Sequence, residues 1–583
     1  MRHFARLYRE LDATTRTGEK HAALVAYFRE ASAADAAWAV AVLTGSPIKR
    51  AMNRTELVNA AEAVSGLPAW LIAECRTAVG DSGETLALLV PPPGSPRDLS
   101  LREVIEERLI PMRRQSAADR TAAMVRLWDE LAENERLSLH KLLSGTFRVG
   151  VSKAMVVRAL AVVAGVATEE MAARLMGDVA RTPEAFAALL KGDGGTSEAG
   201  GEARLSRPYP FFLAQQLAGS PEQLGARAGW QAEWKWDGVR AQVIRRGARV
   251  MVWSRGEELM TEGFPEIAGA AEDLPAGTVL DGEVLAWDSE KQRPLAFGHL
   301  QTRIGVKRRE ARLFDDVPVR FMAYDMLEWA GEDVRSRPLV ERRSMLEAVV
   351  GRLGVGAATP VVGCSPVIEA TDWESLARIR SESRERGVEG MMLKRLDSPY
   401  GVGRARRAVE EVGADGGGVP AGDWWKWKMD PYVVDCVLVA AQPGSGRRAG
   451  LLTDYTFAVW SGEKSGEGEL VTVTKAYSGL TDEEIKEVDR WVRQNTTASY
   501  GPVMMVKPER VFEVAFEGIG PSPRHKAGLA LRFPRMARMR PEKGAGEADT
   551  TAMLWALVPA DVAGAGAGRT KKAGRASRPG GRA

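Results

Sequence analysis

The chain has few of the residues that build disulfide frameworks or metal clusters. It contains 3 cysteines and 5 histidines among 583 residues. Cys75, Cys364 and Cys436 are far apart in sequence and form no CxxC pair. This spacing indicates neither a zinc ribbon nor a disulfide framework. The histidines are equally scattered, so we predict no histidine-rich metal centre.

The chain also lacks a long apolar run and a large net charge. No hydrophobic stretch of about 18 residues occurs, and the N-terminal residues show no hydrophobic signal core. We therefore expect a soluble protein of a reducing compartment. The formal net charge of +3 excludes a histone-like polycation, so any contact with nucleic acid must come from local patches. A chain of this length, with 45% hydrophobic residues, should form about three or four domains.

The most informative segment runs from Lys235 to Arg240 and reads K-x-D-G-x-R. A lysine that attacks phosphorus must first lose its proton, and neighbouring cations and partial desolvation help it to do so. Asp237 can position a hydroxyl or a metal, Gly238 lets the backbone approach a nucleotide, and Arg240 offers a planar fork to phosphate or ribose. The alternative is a surface strand with a polar turn.

Further charged segments follow Lys235 in a fixed order. They are Ser254-Arg255-Gly256, Leu280-Asp281-Gly282-Glu283, Tyr324-Asp325, the segment Glu389-Gly390 to Lys394, Trp425-Lys426-Trp427-Lys428, and the segment from Arg532 to Lys543. In this order the set resembles the motif series of covalent nucleotidyltransferases, and specifically of ATP-dependent DNA ligases of the bacterial type with an N-terminal DNA-binding domain. The resemblance covers about residues 212–543, and a weaker one covers the N-terminal part.

The resemblance implies an enzyme that seals nicks with a 3′-hydroxyl and a 5′-phosphate in duplex DNA, in repair, replication or recombination. Lys235 would attack the α-phosphorus of ATP to form lysyl–AMP, the 5′-phosphate would take the AMP, and the 3′-hydroxyl would then displace it. Glu233 would read the adenine amino group, Arg240 and Arg255 would hold ribose or phosphate, and Tyr324 would stack on the base. Family members often carry Phe at the position of Tyr324.

Two acids and two lysines complete the expected core of the site. The resemblance assigns Glu283 and Glu389 to Mg²⁺ or Mn²⁺, and Glu283 also to the nucleotide; salt-bridged strand-end carboxylates are the alternative. Lys426 and Lys428 alternate along one predicted strand, so both point to the same face. Two like charges on one face repel unless an anion lies between them, and the α-phosphate would supply it. Trp425 and Trp427 would then face the core.

The last motif departs from the family pattern R-x-D-K, because Glu542 replaces the aspartate. By resemblance Arg538, Arg540 and Lys543 lie in a barrel domain and orient the pyrophosphate during the first step. The family also places an arginine between the fourth and fifth motifs. An insertion over residues 404–423 obscures it, and among Arg404, Arg406 and Arg407 we assign this position to Arg406.

The expected architecture is multidomain. The predicted parts are an all-α DNA-binding domain over 1–200, an α+β nucleotidyltransferase (adenylation) domain over 206–430, a β-barrel OB-fold domain over 431–545, and a C-terminal helix remnant with a disordered basic tail over 546–583. The pattern predicts strands over 239–244, 249–253, 279–286, 319–324, 433–441, 455–460, 470–476 and 510–517, and a helix over 371–386. Residues 192–201 read as a linker.

Two local features of the helical part are predicted from sequence. Ser116 should cap a helix whose buried face carries Met124, Leu127 and Trp128. Residues 142–152 contain glycines and Ser152, which could cap the next helix and contact a phosphate; an ordinary helix–turn–helix joint is the alternative. The basic tail either attracts DNA phosphates or only increases solubility.

Three other classes of protein are alternatives to an ATP-dependent DNA ligase. An RNA ligase or an mRNA guanylyltransferase would share the core motifs, but the long helical N-terminal region and the segment from Arg532 to Arg535 favour a DNA ligase. A non-catalytic DNA-binding protein on a decayed scaffold would not keep Lys235, Glu283 and Glu389 together. An NAD-dependent ligase would carry a four-cysteine zinc site. We expect a monomer that binds nicked duplex DNA in the cytoplasm, at the bacterial nucleoid.

Overall fold

The computed structural model describes residues 1–45, 48, 50–144, 147, 149–176, 181–191, 207–304, 317–353, 360–403, 422–444, 450–522 and 525–558. Several sequence predictions lie outside these residues: the linker at 192–201, the arginines Arg404, Arg406 and Arg407, and the basic tail. The chain divides into two compact units. One contains Met1–Arg9, Ser46–Val149 and Asp430–Ala583, and the other contains Glu10–Gly45 and Gly150–Met429. The first 200 residues thus contribute to both units.

The N-terminal part is helical, as predicted. Its helices are Arg2–Ala13, Thr17–Glu30, Ala33–Leu43, Arg54–Ser65, Ala69–Val79, Ser82–Leu89, the π-helix Glu103–Leu109, Ile110–Met112, Ala117–Glu130, Glu133–Ser144, Lys153–Ala164, Thr168–Arg174 and Pro183–Lys191. The side chain of Ser116 accepts a hydrogen bond from the Asp119 amide, and that of Ser152 accepts one from the Met155 amide. Both predicted N-caps are therefore confirmed, and the face with Met124, Leu127 and Trp128 is buried.

The second unit contains two sheets. Their strands are β1 Gln215–Gln216, β2 Trp230–Trp234, β3 Val239–Arg246, β4 Arg249–Ser254, β5 Thr278–Asp288, β6 Arg293–Pro294, β7 Val319–Trp329, β8 Glu332–Asp333, β9 Val362–Cys364, β10 Gly390–Arg395 and β11 Trp424–Lys428. The four-stranded sheet has the order β1-β11-β10-β2. The larger sheet has the order β4-β3-β5-β7-β8, with β6 paired to β5 and β9 paired to β7.

Short helices accompany these sheets. They are Pro265–Ala270, Phe297–Ile304, Leu339–Val350 and Trp373–Ser381, with 3₁₀ turns at Pro221–Leu224, Arg227–Gly229, Thr261–Gly263 and Ala271–Asp273. The helix predicted over 371–386 is shorter than expected. It ends at Ser381 because the chain turns toward β10, with the Val388 amide bonded to the Ser383 carbonyl and Gly387 at φ 69°.

The two sheets share a hydrophobic core. Trp234 and Trp427 come from the four-stranded sheet, whereas Leu285 and Met322 come from the larger sheet, and all four are buried in one cluster. The strands alternate between this core and the opposite face, because successive side chains of a strand point to opposite sides. The alternation decides which charged residues of β2, β10 and β11 share a face.

The C-terminal part of the first unit is a second β structure. Its strands are β12 Tyr432–Pro443, β13 Leu452–Trp460, β14 Leu470–Ala476, β15 Thr496–Tyr500, β16 Val503–Val506, β17 Val511–Phe516, β18 Gly518–Pro521, β19 Leu529–Arg532 and β20 Arg535–Met539. The sheet order is β14-β13-β12-β16-β15, with β17 paired to β12 and β20, and β18 and β19 pair separately. The helices Asp482–Gln494 and Thr551–Ala556 and the 3₁₀ turn Ala545–Glu547 complete it.

Candidate active site

Lys235 follows directly after β2 and is held by two backbone hydrogen bonds, one through its N–H and one through its carbonyl. Its N–H donates to the Gly390 carbonyl at 2.8 Å, and its carbonyl accepts from the Glu389 N–H at 2.8 Å. The antiparallel register of β2 and β10 continues this pairing, with Met391 opposite Trp234. The sheet thus places the predicted nucleophile beside a predicted metal ligand that is 154 positions later in the chain.

Lys426 and Lys428 lie on the same face of the four-stranded sheet as Glu233. Met392 of β10 pairs with Glu233 on one side and with Lys426 on the other, and Gly390 pairs with Lys428. The opposite face carries Trp425 and Trp427, which are 6% and 7% exposed in the core. The predicted orientation of this strand is therefore confirmed.

Gly390 has no room for a side chain between the two lysine-bearing segments. Its φ is +134°, and an added Cβ would lie 2.4 Å from the Trp427 carbonyl oxygen. Because any other residue would push β10 and β11 apart, glycine is needed for Lys235 and Lys428 to approach the same carboxylate.

Glu389 bonds both lysines. Its Oε2 lies 2.5 Å from the Lys235 Nζ and 3.3 Å from the Lys428 Nζ. Burial tends to raise the pKa of Glu389, but the charges and hydrogen bonds of Lys235 and Lys428 more than offset this and hold the pKa below its usual value. The side chains are 19–26% exposed, so the cluster is accessible to a ligand.

Glu283 lies on β5, opposite Arg240 of β3. Burial raises the pKa of Glu283 to about 7, although the positive charges of Lys235 and Arg240 partly offset it. Gly238 packs against this strand, because an added Cβ would lie 2.2 Å from the Val284 carbonyl oxygen. The close approach for which Gly238 is needed in the structure is thus to β5, whereas the sequence suggested a nucleotide.

Arg240 is held by Asp281, an aspartate of the 280–283 motif to which the sequence assigned no role. Its Nε and Nη2 bond Asp281 at 3.2 and 2.7 Å, and its Nη1 bonds the Phe212 carbonyl at 2.6 Å. Asp281 is 0% exposed and also accepts from the Tyr400 hydroxyl at 2.7 Å. These bonds hold the Arg240 guanidinium in one orientation in a desolvated position. Its Cζ lies 5.8 Å from the centroid of the Tyr324 ring.

Glu233 forms a buried ion pair that sequence reasoning missed. Its Oε1 accepts from the Lys394 Nζ at 2.8 Å and from the Gln231 amide at 2.6 Å, and both members of the pair are 1% exposed. Burial lowers the pKa of Lys394, against the opposing effect of Glu233. Lys394 also lies 4.3 Å from the centroid of the Tyr324 ring. A lysine directly after the apolar run Met391 to Leu393 was the available signal.

The remaining predicted residues lie at the edge of this cluster or elsewhere. Arg255 is exposed, and its backbone amide donates to the Arg240 carbonyl at 2.9 Å. Tyr324 is partly buried on β7 between Arg240 and Lys394. Arg406 lies outside the described residues.

The cations of the last motif are paired with acids of the C-terminal β structure. Arg540 Nη1 lies 3.0 Å from both Asp435 and Glu513, and its Nε donates to Glu542 at 2.6 Å. Lys543 bonds Asp435 at 2.6 Å, and Arg538 bonds Glu513 at 3.3 Å. Glu542, which stands where the family pattern has aspartate, thus pairs with Arg540 of the same motif.

Three domain families match the chain. "DNA ligase N terminus" matches residues 1–161, "ATP dependent DNA ligase domain" matches residues 211–409, and "ATP dependent DNA ligase C terminal region" matches residues 448–543. A protein of Koribacter versatilis (strain Ellin345) named "Probable DNA ligase" is 32% identical over 578 residues, which cover 94% of this chain and 95% of that protein. The chain belongs to the ATP-dependent DNA ligase family.

Further relatives agree with this assignment. A "Probable DNA ligase" of Anaeromyxobacter sp. (strain Fw109-5) is 33% identical, over 90% of this chain and 98% of that protein. The solved structure "Pmar-Lig_PreS3" has a TM-score of 0.57 and 15% identity, and the match covers 92% of this chain and 99% of that one. The first two resemblances establish the ligase family, and the third concerns the fold alone.

Ligases of this family use ATP, pass through an AMP intermediate, act on nicked DNA and form phosphodiester bonds. In the part of this ligase that the structure describes, every helix is too short or too polar to span a lipid bilayer. No group of three or more His, Cys, Asp and Glu residues capable of holding a metal occurs in that same part.

Proposed function

We propose that the chain seals nicks with a 3′-hydroxyl and a 5′-phosphate in duplex DNA, and that Lys235 carries the AMP. The observation that carries this assignment is the ion-paired cluster of Lys235, Glu389 and Lys428. The Glu389 carboxylate lies within 2.5 and 3.3 Å of the two ammonium groups. This cluster contains one lysine, Lys235, that can attack the phosphorus, and a second cation, Lys428, that can hold the phosphate under attack.

The first step is a transfer to nitrogen. Lys235 loses a proton to the solvent, its Nζ attacks the α-phosphorus of ATP, the bond from the α-phosphorus to the bridging oxygen breaks, and pyrophosphate leaves. The 5′-phosphate of the nick then takes the AMP from Lys235, and the 3′-hydroxyl attacks that phosphate and releases AMP. Catalysis of such steps rests mainly on positioning and on neutralising charge. Lys426 and Lys428 lie on one face of β11, and there they would contact the α-phosphate.

The nucleotide would lie against β2, β3 and β7. We assign Glu233 to the adenine amino group, Tyr324 to the base, and Arg240 and Arg255 to ribose or phosphate. Glu233 accepts two hydrogen bonds through Oε1, and no hydrogen bond to Oε2 is found among the described residues, which leaves that oxygen as an acceptor for the base. We assign the arginine that the family places between the fourth and fifth motifs to Arg406, and only the family pattern supports this assignment.

Two carboxylates fit the Mg²⁺ or Mn²⁺ that the family implies. Mg²⁺ keeps several waters and needs only one or two carboxylates besides the phosphates of its substrate. Glu283 and Glu389 both interact with Lys235, so both would lie near the α-phosphate that Lys235 attacks. When Lys235 loses its proton, Lys428 remains the only cationic partner of Glu389 in this cluster. The Glu389 carboxylate is then available to a divalent cation as a ligand. A bound divalent cation would supply charge neutralisation for the phosphates.

The other domains would serve the DNA and the leaving group. We assign 1–200 to DNA binding, 206–430 to adenylation and 431–545 to an OB-fold, followed by a helix remnant and a disordered basic tail over 546–583. The helix Thr551–Ala556 and the pairing of β12 with β13, β16 and β17 support this division. Arg538, Arg540 and Lys543 would orient pyrophosphate after exchanging their acidic partners for phosphate. We further propose a monomer that works at the bacterial nucleoid.

The proposal is tested by incubating the protein with α-labelled ATP and Mg²⁺. We expect covalent label on the wild type and none on Lys235→Ala, whereas Lys235→Ala still seals a nick that was adenylated beforehand. Label on the variant would refute the assignment of the nucleophile. Parallel nicks in DNA and RNA distinguish a DNA ligase from an RNA ligase, and Lys291→Ala, an exposed lysine of the same unit, is the matched control.

A further inference from the structure

Ser365 follows directly after β9 and is 0% exposed. All its polar groups are hydrogen-bonded. Its hydroxyl accepts from the Trp236 Nε1 at 3.0 Å, its N–H donates to the Ala323 carbonyl at 2.7 Å, and its carbonyl accepts from the Arg343 Nη2 at 2.8 Å. A small buried residue with three separate partners is a junction between chain segments.

Two of these partners are the neighbours of residues assigned to the reaction. Trp236 follows Lys235, and Ala323 precedes Tyr324. Ser365 therefore connects the residue beside the proposed nucleophile to the residue beside the proposed base-stacking ring.

The segment around Ser365 also passes from one sheet to the other. Cys364 pairs with Ala323 of β7, whereas Val367 bridges Glu233, and the Ile368 amide donates to the Ala232 carbonyl of β2 at 2.8 Å. Trp236 is 8% exposed and packs in the core that the two sheets share. The segment thus fixes the separation of β2 and β7 at the site, and the indole of Trp236 is attached to it.

We propose that Ser365 is a positioning residue for the first step, and that it sets the position of Lys235 relative to the base held at Tyr324. This inference rests on the proposed function. Transfer of a nucleotidyl group requires the attacking atom to be aligned with the phosphorus, and small displacements are costly. Lys235 has backbone bonds to Glu389 and Gly390 on one side, and the Trp236–Ser365 bond holds the chain on the other side.

The test compares Trp236→Phe, Ser365→Ala and the double variant in the full-length protein. The rate of lysyl–AMP formation is measured against ATP concentration, beside the sealing of a pre-adenylated nick. We expect the maximal rate to fall about five- to tenfold, the loss expected for one hydrogen bond. The half-saturating ATP concentration and the sealing of the pre-adenylated nick should stay unchanged. The double variant should be no slower than either single variant, because both lose the same bond.

Trp373→Phe is the matched control. Trp373 is 7% exposed in the same core, and its Nε1 donates to the Gly225 carbonyl at 2.8 Å. This control should lower the melting temperature as Trp236→Phe does, without slowing lysyl–AMP formation.

The inference is overturned if Trp236→Phe lowers only the melting temperature, if it slows both assays equally, or if the control slows the first step as much. Should Ser365→Ala not fold, Trp236→Phe decides alone. A wild type that takes up no label, or a Lys235→Ala variant that does, would instead contradict the proposed function.

Discussion

Replacing Lys394 with methionine should separate the stability of the second unit, which contains Lys235, from its activity. Lys394 and Glu233 are each 1% exposed, with 2.8 Å between Nζ and Oε1. Lys394 also donates to the Tyr324 carbonyl at 3.3 Å. Methionine keeps most of the side-chain volume but removes the charge, so Glu233 is left in the interior with only Gln231 as a donor.

The expected cost is large because the carboxylate remains buried. Removing one partner of a buried ion pair costs about 3–5 kcal/mol, whereas an exposed pair contributes about 1 kcal/mol or less. For a unit of this size the melting temperature should fall by roughly 10 °C. Differential scanning fluorimetry measures the shift, and Lys291→Met, whose pair with Asp288 spans 3.7 Å at 62% lysine exposure, should shift it by no more than roughly 3 °C.

The double variant Glu233→Gln/Lys394→Met provides the decisive comparison. It removes both charges, so most of the lost stability should return. Lysyl–AMP formation by the double variant should be slower than that of the wild type, because the carboxylate assigned to the adenine amino group is gone. The reasoning is refuted if Lys394→Met melts within about 3 °C of the wild type, or if the double variant is no more stable than the single one.

Three further predictions concern other parts of the molecule. Arg540→Ala or Lys543→Ala should slow lysyl–AMP formation roughly 10²–10³-fold, as for other charge-stabilising donors, and sealing of a pre-adenylated nick far less; equal losses would assign them to folding. Burial raises the pKa of Glu283 from 4.5 to about 7, so its contribution to the free energy of unfolding is present below pH 4.5 and is lost as the pH rises through 7. In metal-free urea titrations, the free energy of unfolding of Glu283→Gln should therefore rise relative to that of the wild type by up to about 3 kcal/mol between pH 4.5 and 8. If the free energies of the two proteins change with pH in parallel, the pKa shift is contradicted. Nick binding by the full chain should fall about 10³–10⁵-fold between 50 and 200 mM salt if six to ten phosphates are contacted, and a flat fluorescence titration would exclude such contacts.

Local sequence was enough to predict several parts of the structure. The two-residue period of a strand placed Lys426 and Lys428 on one face and Trp425 in the core, because that period does not depend on which strands are neighbours. Serine caps and a buried helical face were also readable from short segments. The helix Asp482–Gln494 was missed, although Thr481 and Glu484 form a capping box before it.

Only the tertiary structure decided which charged residues meet. Lys394 and Glu233 are 161 positions apart, and Arg240 and Asp281 are 41 apart. Their pairing follows from the register of β2 with β10 and of β3 with β5, and register depends on the whole sheet. Ser365 has no local signal at all, because its partners come from three separate segments. The sequence by itself determined the chemistry that this ligase has available, while the pairing of distant strands determined which groups hold each other in place, since a buried charge is tolerated only where a partner from elsewhere in the chain reaches it.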